Sequence, residues 1–565
     1  MTSTYDANLE ALRARSPEAA DLVDRTTGDP DHAIVRSATG RSVLERHGRA
    51  LDSRRDPVAA ARTQAATCRN GRVLVAGLGT GYLAEALVDH GRAVTAIVVD
   101  CPASVIAAMR ARDLRRVLET VPVICLESLR DPVALALLRA RADSVAAHAP
   151  SVTASGELAA LVSRWDAIPV ADRAPRVVVV GPLSGGSLGI AESVASAVAA
   201  CGAETRFLEP ARFAEAYAAI GQLARRPSTR VVRQGQLVEL IGEVMADVVA
   251  DERPDLLLAL AQAPLHRAVL ERLRTDGVTT AFWFVENERV LTYWRDLAPA
   301  YDHFYGIQPG AFLERLHDAG AARPGYLPLA CDPARHVPVA LTDEERQRFG
   351  ADVSFAGAPY LNRRHLFAGL TDLGVRLWGS GWDDAALVAC VAEGGERFST
   401  DEMLRIFAAS RINLNLHSAA HVRGLDPEPD YVNPRTFELA SCGAFQLVDR
   451  RAPLPELFDD HEVVAFSSLA ELRELIRQYL ADPVERRTCA QRARARAHRD
   501  HAYVHRLRRV LRETLSPALV AAGLAGVSGD QLETAIGRLE AGPRLTREEA
   551  LLRIVREVGR SQVAS

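Results

Sequence analysis

Short apolar runs, each followed by a glycine-containing loop and a helical pattern, recur in three series along the chain. The first series contains the stretch 71–91 (GRVLVAGLGTGYLAEALVDHG) and the apolar runs 93–100 and 121–127. Continuous apolar runs that alternate with helical patterns are typical of parallel strands covered on both faces. We therefore predict a Rossmann-like domain over 1–170, in which residues 1–65 are helical and charged.

The second and third series repeat this pattern. The stretches that predict their strands are RVVVVG (176–181), PDLLLALAQAP (254–264), TTAFWFVEN (279–287), DVSFAG (352–357), VRLWGSGW (375–382), RINLNLH (411–417) and AFQLVD (444–449). They predict two more Rossmann-like domains, 171–330 and 331–500, followed by a helical tail over 501–565. The fold class is therefore α/β, with three Rossmann-like units in tandem.

Composition narrows the class of protein. The net charge is −4 over 565 residues, which gives no global attraction to nucleic acid or to an anionic membrane. No apolar run approaches 18 residues, so we expect no transmembrane segment. The N-terminus lacks a basic start followed by an apolar core, which predicts no signal peptide and a cytoplasmic location. The 8 cysteines form no CxxC pair, so we expect neither a zinc site nor a disulfide framework.

The chain contains no lysine, and all 68 of its Lys and Arg residues are arginine. A Walker A loop and a pyridoxal phosphate site both require a lysine, so both are excluded. Any phosphate group must be held by arginine, by backbone N–H groups or by helix N-termini.

The stretch NPRTFELASCGAFQLVD (433–449) predicts a short helix followed by a strand. Asn433 is a good N-cap, Pro434 suits the first helical position and Gly443 is a natural stop. Arg435 and Glu438 then lie in the first turns of the helix. Taken alone, these charges are either solvated or bind a ligand, and the local pattern does not decide between the two.

Ligands of open parallel sheets bind at the carboxyl ends of the strands. A nucleotide diphosphate needs arginine and helix N–H groups, and a ribose diol is well matched by a carboxylate. The loops at these ends of the third domain carry the donor-binding candidates Gly357, Arg363, Arg364, Arg435 and Glu438.

From about 171 to 512 the chain resembles the CgeB-type glycosyltransferases, a family named for a spore maturation protein. The matching stretches include TTAFWFVENERVLTYWRDLAPAYDHFYGIQPG, YLPLACDP, DVSFAGAPYLNRR, RINLNLH and NPRTFELASCGAFQLVDRR. The resemblance implies the GT-B fold, in which two Rossmann-like domains face each other. It also implies a nucleotide-sugar donor in the C-terminal domain and an acceptor facing the N-terminal one.

The resemblance carries individual roles to this sequence. It implies that Glu438 binds the ribose and that Arg435 contacts the diphosphate. Related retaining enzymes have two acids separated by seven residues, and Asp430 stands in that relation to Glu438 as a candidate contact to the sugar.

The catalytic base is less defined by the sequence. Glu286 and Asn287 follow a predicted strand at the edge of the expected cleft, where Glu286 is either a base or a solvated charge. His417, at the end of RINLNLH, either reaches the cleft or caps a strand. Gly185 and Gly186 either let a substrate approach the backbone or only make a tight turn.

The first domain resembles the start of class I methyltransferases and the N-terminal region of motility accessory factors, which glycosylate flagellin. The methyltransferase resemblance implies that Gly77, Gly79 and Gly81 approach a cofactor and that Asp100 binds its ribose. A degenerate scaffold or docking domain is the alternative, because a lone glycine motif is weak.

We therefore expect a glycosyltransferase that uses a UDP- or GDP-sugar as substrate and a protein or glycan as acceptor. We expect no tightly bound cofactor, and no metal, since no Asp-x-Asp pair ends a predicted strand. Two alternatives remain: a bifunctional protein whose first domain is an S-adenosylmethionine-dependent methyltransferase, and a non-catalytic scaffold.

Overall fold

The computed structural model describes residues 3–26 and 31–527, which form two compact units. The first unit holds the chain up to Pro175 and the segment that begins at Leu515. The second unit holds Arg176–Thr514.

The first unit contains two sheets. Strands β1 (His32–Arg36), β2 (Ser42–Arg46) and β3 (Arg49–Ala50) are antiparallel, and β4 (Arg72–Ala76), β5 (Ala93–Val99), β6 (Val123–Cys125) and β7 (Ser144–Ala147) form a parallel sheet in the order β6-β5-β4-β7. Its helices are Thr4–Arg15, Pro17–Arg25, Pro57–Thr67, Tyr82–Asp89, Pro102–Ala111, Arg115–Leu118, Pro132–Arg141, Ala149–Ala154, Gly156–Arg164 and Pro517–Gly526, with 3-10 turns at Leu126–Arg130 and Trp165–Ala167. The parallel sheet is the Rossmann-like element that the sequence predicts.

The prediction that residues 1–65 are helical is wrong for strands β1 to β3. Ile34 pairs with Leu44 and Val35 with Val43 across a turn at Gly40, whose φ is 74°. β-Branched residues on both sides of a glycine turn favour a hairpin over a helix. The charged residues around them obscured this alternation.

The second unit contains two parallel sheets. Its strands are β8 (Arg176–Val180), β9 (Glu204–Leu208), β10 (Leu256–Leu260), β11 (Thr279–Phe284), β12 (His303–Gly306) and β13 (Pro324–Tyr326), in the order β13-β12-β11-β10-β8-β9. The second sheet holds β14 (Ala351–Ala356), β15 (Val375–Trp378), β16 (Ser410–Asn415), β17 (Gln446–Asp449) and β18 (Val464–Phe466), in the order β15-β14-β16-β17-β18. Strand β10 and the last three residues of β11, Phe282 to Phe284, are fully buried. This burial explains why the sequence of both strands is continuously apolar.

Helices cover both sheets of this unit. They are Leu188–Ala200, Ala214–Leu223, Pro227–Glu252, Arg267–Thr275, Trp294–Leu297, Ala311–Asp318, Asp343–Phe349, Leu361–Ala368, Thr400–Ala409, Pro434–Ser441, Leu454–Leu457, Leu469–Ala481, Pro483–Asp500 and Tyr503–Thr514, with 3-10 turns at Pro210–Phe213, Ala298–Ala300, Thr371–Leu373, Val388–Cys390 and Glu393–Gly395.

The last helices return the chain to earlier elements. Pro483–Asp500 packs on Pro434–Ser441 beside the second sheet, and Tyr503–Thr514 packs on Leu188–Ala200 beside the first. Two Rossmann-like sheets linked by such a return form the GT-B fold that the sequence predicts. Pro517–Gly526 instead belongs to the first unit, so the segment predicted as one helical tail is divided between the units. Its part beyond 527 lies outside the described residues.

Candidate donor and cleft site

The N-terminus of helix Pro434–Ser441 lies at the carboxyl end of the second sheet. The Asn433 Oδ1 accepts the Thr436 N–H at 3.1 Å, which caps the helix. The Asn433 Nδ2 donates to Asn415 Oδ1 at 2.8 Å, and Asn415 is the last residue of β16. The positive end of the helix dipole therefore faces the edge where ligands of such sheets bind.

A buried histidine holds this cap in place. His417 is fully buried, its Nδ1 lies 2.7 Å from Asp449 Oδ1, and its Nε2 accepts the Asn433 N–H at 2.8 Å. Because Nε2 is an acceptor, the ring proton is on Nδ1. Burial lowers the pKa of His417, so the ring is neutral. Both nitrogens are used inside the protein, a geometry that favours a positioning role; the predicted catalytic role of His417 stays a prediction.

Asp449 also anchors a buried arginine. Arg451 is fully buried and donates to Asp449 Oδ2 and to Asp426 Oδ2, both at 3.1 Å, and to the carbonyl of Tyr431 at 2.9 Å. Burial acts to raise the pKa of Asp449, but His417 and Arg451 outweigh it and hold that pKa below its ordinary value. These buried contacts tie the loop 416–433 to the end of β17 and so fix the approach to the helix N-terminus.

Arg435 and Glu438 form an ion pair one turn apart, with 3.3 Å between Nη1 and Oε2. Their side chains are 25% and 16% exposed, so both remain within reach of solvent. The Arg435 guanidinium lies over the Phe407 ring, 4.8 Å from its centroid. Burial lowers the pKa of His336, and the charge of Glu438 opposes that shift. Glu438 is therefore close to the linker between the two sheets.

Arg363 binds backbone carbonyls rather than facing open space. It donates to Leu416 O at 2.7 Å and to Ala358 O at 2.9 Å, and its guanidinium lies over the Phe355 ring. Burial lowers the pKa of Arg363 to about 10. Gly357 is tightly packed, because a Cβ there would lie 3.0 Å from the Phe355 ring. Their roles in donor binding stay predictions.

Arg364 is committed to a neighbouring loop. It pairs with Asp383 at 2.5 Å and with Asp384, and donates to Pro359 O at 2.9 Å. These contacts order the loop after β15. A direct contact of Arg364 to a diphosphate therefore stays a prediction that requires these pairs to open.

Glu286 follows β11 and is half-buried. Its carboxylate accepts from the Gln262 amide at 2.5 Å and from the Tyr293 hydroxyl. Burial raises the pKa of Glu286. The neighbouring Asn287 Oδ1 accepts the N–H of Arg289 at 3.0 Å, which shapes the turn that follows the strand.

Arg289, which the sequence did not single out, bridges the two sheets of the unit. It contacts both carboxylate oxygens of Asp430, at 2.7 and 3.1 Å, and the Glu428 carbonyl at 2.8 Å. The contact joins the loop after β11 to the loop before helix Pro434–Ser441. It brings the predicted residues Glu286 and Asp430 into one region, a link across 141 positions that no local pattern signals.

Gly185 and Gly186 lie in an exposed loop after β8. A Cβ at either position would meet no atom within 4 Å, and the φ of Gly185 is 104°. The loop therefore leaves open space at the carboxyl end of the first sheet of this unit.

The glycine loop of the first unit is crowded by its own protein. Gly77, Gly79 and Gly81 all have positive φ. A Cβ on Gly79 would lie 2.3 Å from the His148 ring, and one on Gly77 would lie 2.4 Å from Ser151. Side chains of this chain thus stand where the backbone would approach a cofactor.

The antiparallel strands β1 to β3 and the segment after them lie against the glycine loop of the first unit. Asp100 pairs with Arg46 and accepts from Ser104 Oγ at 2.7 Å. Asp52 accepts the Thr80 N–H at 2.8 Å and lies 3.3 Å from His148 Nε2. A small cavity whose lining includes Arg46, Asp100, Ser104 and Ser151 has room for about one water molecule. The cofactor roles of Gly77, Gly79, Gly81 and Asp100 stay predictions.

Neither a metal-binding cluster nor a membrane-spanning helix occurs in the described part of the chain. No group of three or more His, Cys, Asp or Glu side chains suited to a metal ion occurs within 3–26 and 31–527. Among the helices that the structure describes, none is both long and apolar enough to cross a membrane.

A comparison with known protein families finds a match in the C-terminal part of the second unit. Residues 363–512 match a family model described as glycosyl transferase-like. The matched segment includes helix Pro434–Ser441, its buried anchor and Arg363. Residues 363–512 are therefore similar to glycosyl transferase-like domains. A search of curated proteins found no match.

Solved structures with similar folds cover 60% of the chain. Sucrose-phosphate synthase from Thermosynechococcus elongatus is 14% identical over 99% of its own length, with a TM-score of 0.42. HepE from Anabaena, in complex with UDP and glucose, is 14% identical over 100% of its length, with a TM-score of 0.42. A trehalose-phosphate synthase from Burkholderia xenovorans is 11% identical over 100% of its length, with a TM-score of 0.42. At this level of identity, the similarity concerns the fold alone.

Proposed function

We propose that this protein is a GT-B glycosyltransferase that transfers a sugar from a UDP- or GDP-sugar to a glycan or protein acceptor. The observation that carries the proposal is the Arg435–Glu438 pair beside a capped helix N-terminus at the carboxyl end of the second sheet. The glycosyl transferase-like match over 363–512 supports it.

The pair explains how a donor would be recognised. A diphosphate at the helix N-terminus is attracted by the helix dipole and competes with Glu438 for the Arg435 guanidinium. When Arg435 turns to the diphosphate, the Glu438 carboxylate is released to accept two hydrogen bonds from a ribose diol. Empty and loaded states thus use the same two charges with different partners.

The acceptor side is assigned to the loops after β8 and β11. Gly185 and Gly186 leave room at the sheet edge, and Asn287 lies in the turn after β11. Glu286 is proposed as the general base, because burial raises its pKa towards the range in which a carboxylate accepts a proton efficiently. Asp430, held by Arg289, is the proposed contact to the donor sugar.

Calorimetric titration with UDP and GDP tests the donor site. Glu438→Gln should weaken nucleotide binding by about tenfold or more, since hydrogen bonds to a charged group are worth roughly 1.5–3 kcal/mol. The matched control is Glu474→Gln, which breaks the ion pair of Glu474 with Arg477, also three residues apart, on helix Leu469–Ala481. Equal dissociation constants for the Glu438→Gln variant and the unchanged protein would refute the assignment.

A screen of nucleotide-sugar hydrolysis identifies the donor and tests metal dependence. Activity should persist in EDTA, because arginine and helix N–H groups neutralise the diphosphate. Activity that is lost in EDTA and restored by manganese would contradict this part. Titration with S-adenosylmethionine addresses the methyltransferase alternative, and binding of neither ligand would indicate a scaffold.

A further inference from the structure

Helix Ala214–Leu223 and the first half of helix Pro227–Glu252 form a hairpin that projects from the second unit. Helix Ala214–Leu223 has no buried residue. In the longer helix, the first buried residue is Ile241. Tyr217, Leu237 and Val238 pack against the core at the base of the hairpin, and no residue between 217 and 237 is buried.

The length and position of the longer helix show where the hairpin projects. Its 26 residues span about 39 Å, against about 17 Å for the five-residue strand β10 that follows. A Cβ on Gly242 would lie 2.4 Å from Pro264 O, just after the carboxyl end of β10. Residues 227–236 therefore extend about 15 Å beyond Leu237 and Val238, which are the first residues of this helix to pack against the core. The exposed Gly185 loop lies at the same edge.

The end of this hairpin, residues 218–236, is the hairpin tip. It contains four arginines and no Asp or Glu, a charge of +4 in a chain whose net charge is −4. These arginines are Arg225, Arg226, Arg230 and Arg233, and within the described part of the chain they form no ion pair.

Apolar side chains stand among these charges. Leu223 is 81% exposed, Val231 70% and Val232 55%. Soluble proteins rarely expose a cluster of apolar side chains on one surface, and such clusters mark interaction sites.

We propose that the hairpin tip docks on an anionic lipid surface. Arginines attract anionic headgroups, and apolar side chains between them enter the headgroup boundary, which is the pattern of helices that lie on membranes. A second copy is disfavoured because two tips of +4 repel each other. Leu223, Val231 and Val232 are exposed near the end of the hairpin, a position from which they can enter a surface.

Docking would turn the carboxyl edge of the β8–β13 sheet towards the lipid. This inference goes beyond the proposed function and does not require it, since lipid binding is measured without any nucleotide sugar. If both hold, the acceptor side of the site faces the lipid surface.

Vesicle sedimentation with the full chain tests the proposal. The protein should pellet with vesicles of phosphatidylcholine containing about 30% phosphatidylglycerol and remain in solution with phosphatidylcholine alone. About 0.5 M salt should weaken the binding, because it screens the arginines.

Paired variants assign the binding to the tip. Arg230→Glu with Val231→Ser should reduce partitioning by about tenfold or more. The matched control, Arg487→Glu with Val484→Ser, changes an exposed Arg and an exposed Val on helix Pro483–Asp500 and should bind like the unchanged protein. Circular dichroism confirms that both variants are folded.

Three outcomes would overturn the proposal. The first is no pelleting with anionic vesicles, or equal pelleting with both kinds. The second is an equal loss in the control variant. The third is concentration-dependent self-association, seen by sedimentation velocity without vesicles and abolished by the tip variant, which would assign the surface to a second copy.

Discussion

Arg289 connects two loops that come from different sheets of the second unit. Its side chain is 28% exposed and that of Asp430 is 30% exposed. A pair at this depth, with two hydrogen bonds in parallel, is stronger than an ion pair in open water. The geometry makes Arg289 the residue that holds Asp430 near the Glu286 loop.

A double-mutant cycle should therefore detect this contact. Arg289→Met and Asp430→Asn should show a coupling of about 1 kcal/mol in the free energy of unfolding. Urea unfolding followed by tryptophan fluorescence gives the four values. Arg289→Met with Glu474→Gln is the control cycle and should be additive within about 0.5 kcal/mol. Coupling of equal size in both cycles would show that the measured energy does not come from this pair.

At this scale, the sequence predicts what is local. The Asn433 cap and the turn that places Arg435 beside Glu438 follow from neighbouring residues, and the structure has them. The contact between Arg289 and Asp430 and the complete burial of His417 depend on how distant segments pack. Burial decides whether a histidine is an exposed base or an internal hydrogen-bonding group, and spacing along the chain does not report it.

The junction of helices Pro483–Asp500 and Tyr503–Thr514 is built on neutral histidines. His498 Nε2 lies 3.0 Å from Ser441 Oγ, and His501 Nε2 lies 2.6 Å from Leu457 O. Burial lowers the pKa of His498 to about 4 and holds that of His501 well below 6.5. The junction joins the two sheets, so its protonation affects the whole second unit.

Stability should accordingly fall as the pH drops below about 6.5. Below that pH these histidines are protonated in the unfolded chain but stay neutral in the folded junction. Each of them therefore lowers the free energy of unfolding by up to about 1.4 kcal/mol per pH unit. Urea unfolding at pH 7.5, 6.5 and 5.5 measures the slope. His498→Gln should flatten it, whereas His317→Gln, at a side chain 77% exposed, should leave it unchanged. An identical slope in the His498→Gln variant would contradict this account.

At the scale of the helix and strand, the sequence predicts the strands that are covered on both faces of their sheet. The runs at Arg176–Val180, Leu256–Leu260 and Thr279–Phe284 are strands in the structure because covered parallel strands need apolar residues throughout. The hairpin His32–Arg46 was missed because its alternation is short and surrounded by charge. The projecting half of Pro227–Glu252 was not distinguished, since helix propensity does not tell whether a helix has a neighbour.

At the scale of the molecule, we expect the two units to have separate roles. The donor candidates all lie beyond 350, and Asp100 of the first unit is engaged by Arg46 and Ser104. The helix Pro517–Gly526 packs on Pro132–Arg141 within the first unit. A shortened protein that isolates the second unit should therefore end near Thr514 as well as begin near Arg176.

We expect donor hydrolysis to survive removal of the first unit, and transfer to a large acceptor to fall. Asp100→Asn in the full chain should change neither rate, because the residue is outside the donor site. Comparing hydrolysis with transfer for Arg176–Thr514 and for the full chain tests the division. If both rates fall together in a folded fragment, or if neither falls, the first unit does not serve acceptor recognition.

The position of helix Pro517–Gly526 has a consequence for synthesis on the ribosome. The first unit precedes the second along the chain, yet one of its helices is made only after the 339 residues from Arg176 to Thr514. At roughly 5–20 residues per second, that interval is about 20–70 s. During it, the face of Pro132–Arg141 that this helix later covers is exposed on the nascent chain. The first unit is thus translated before the second, yet its fold is completed only after the second unit has been made.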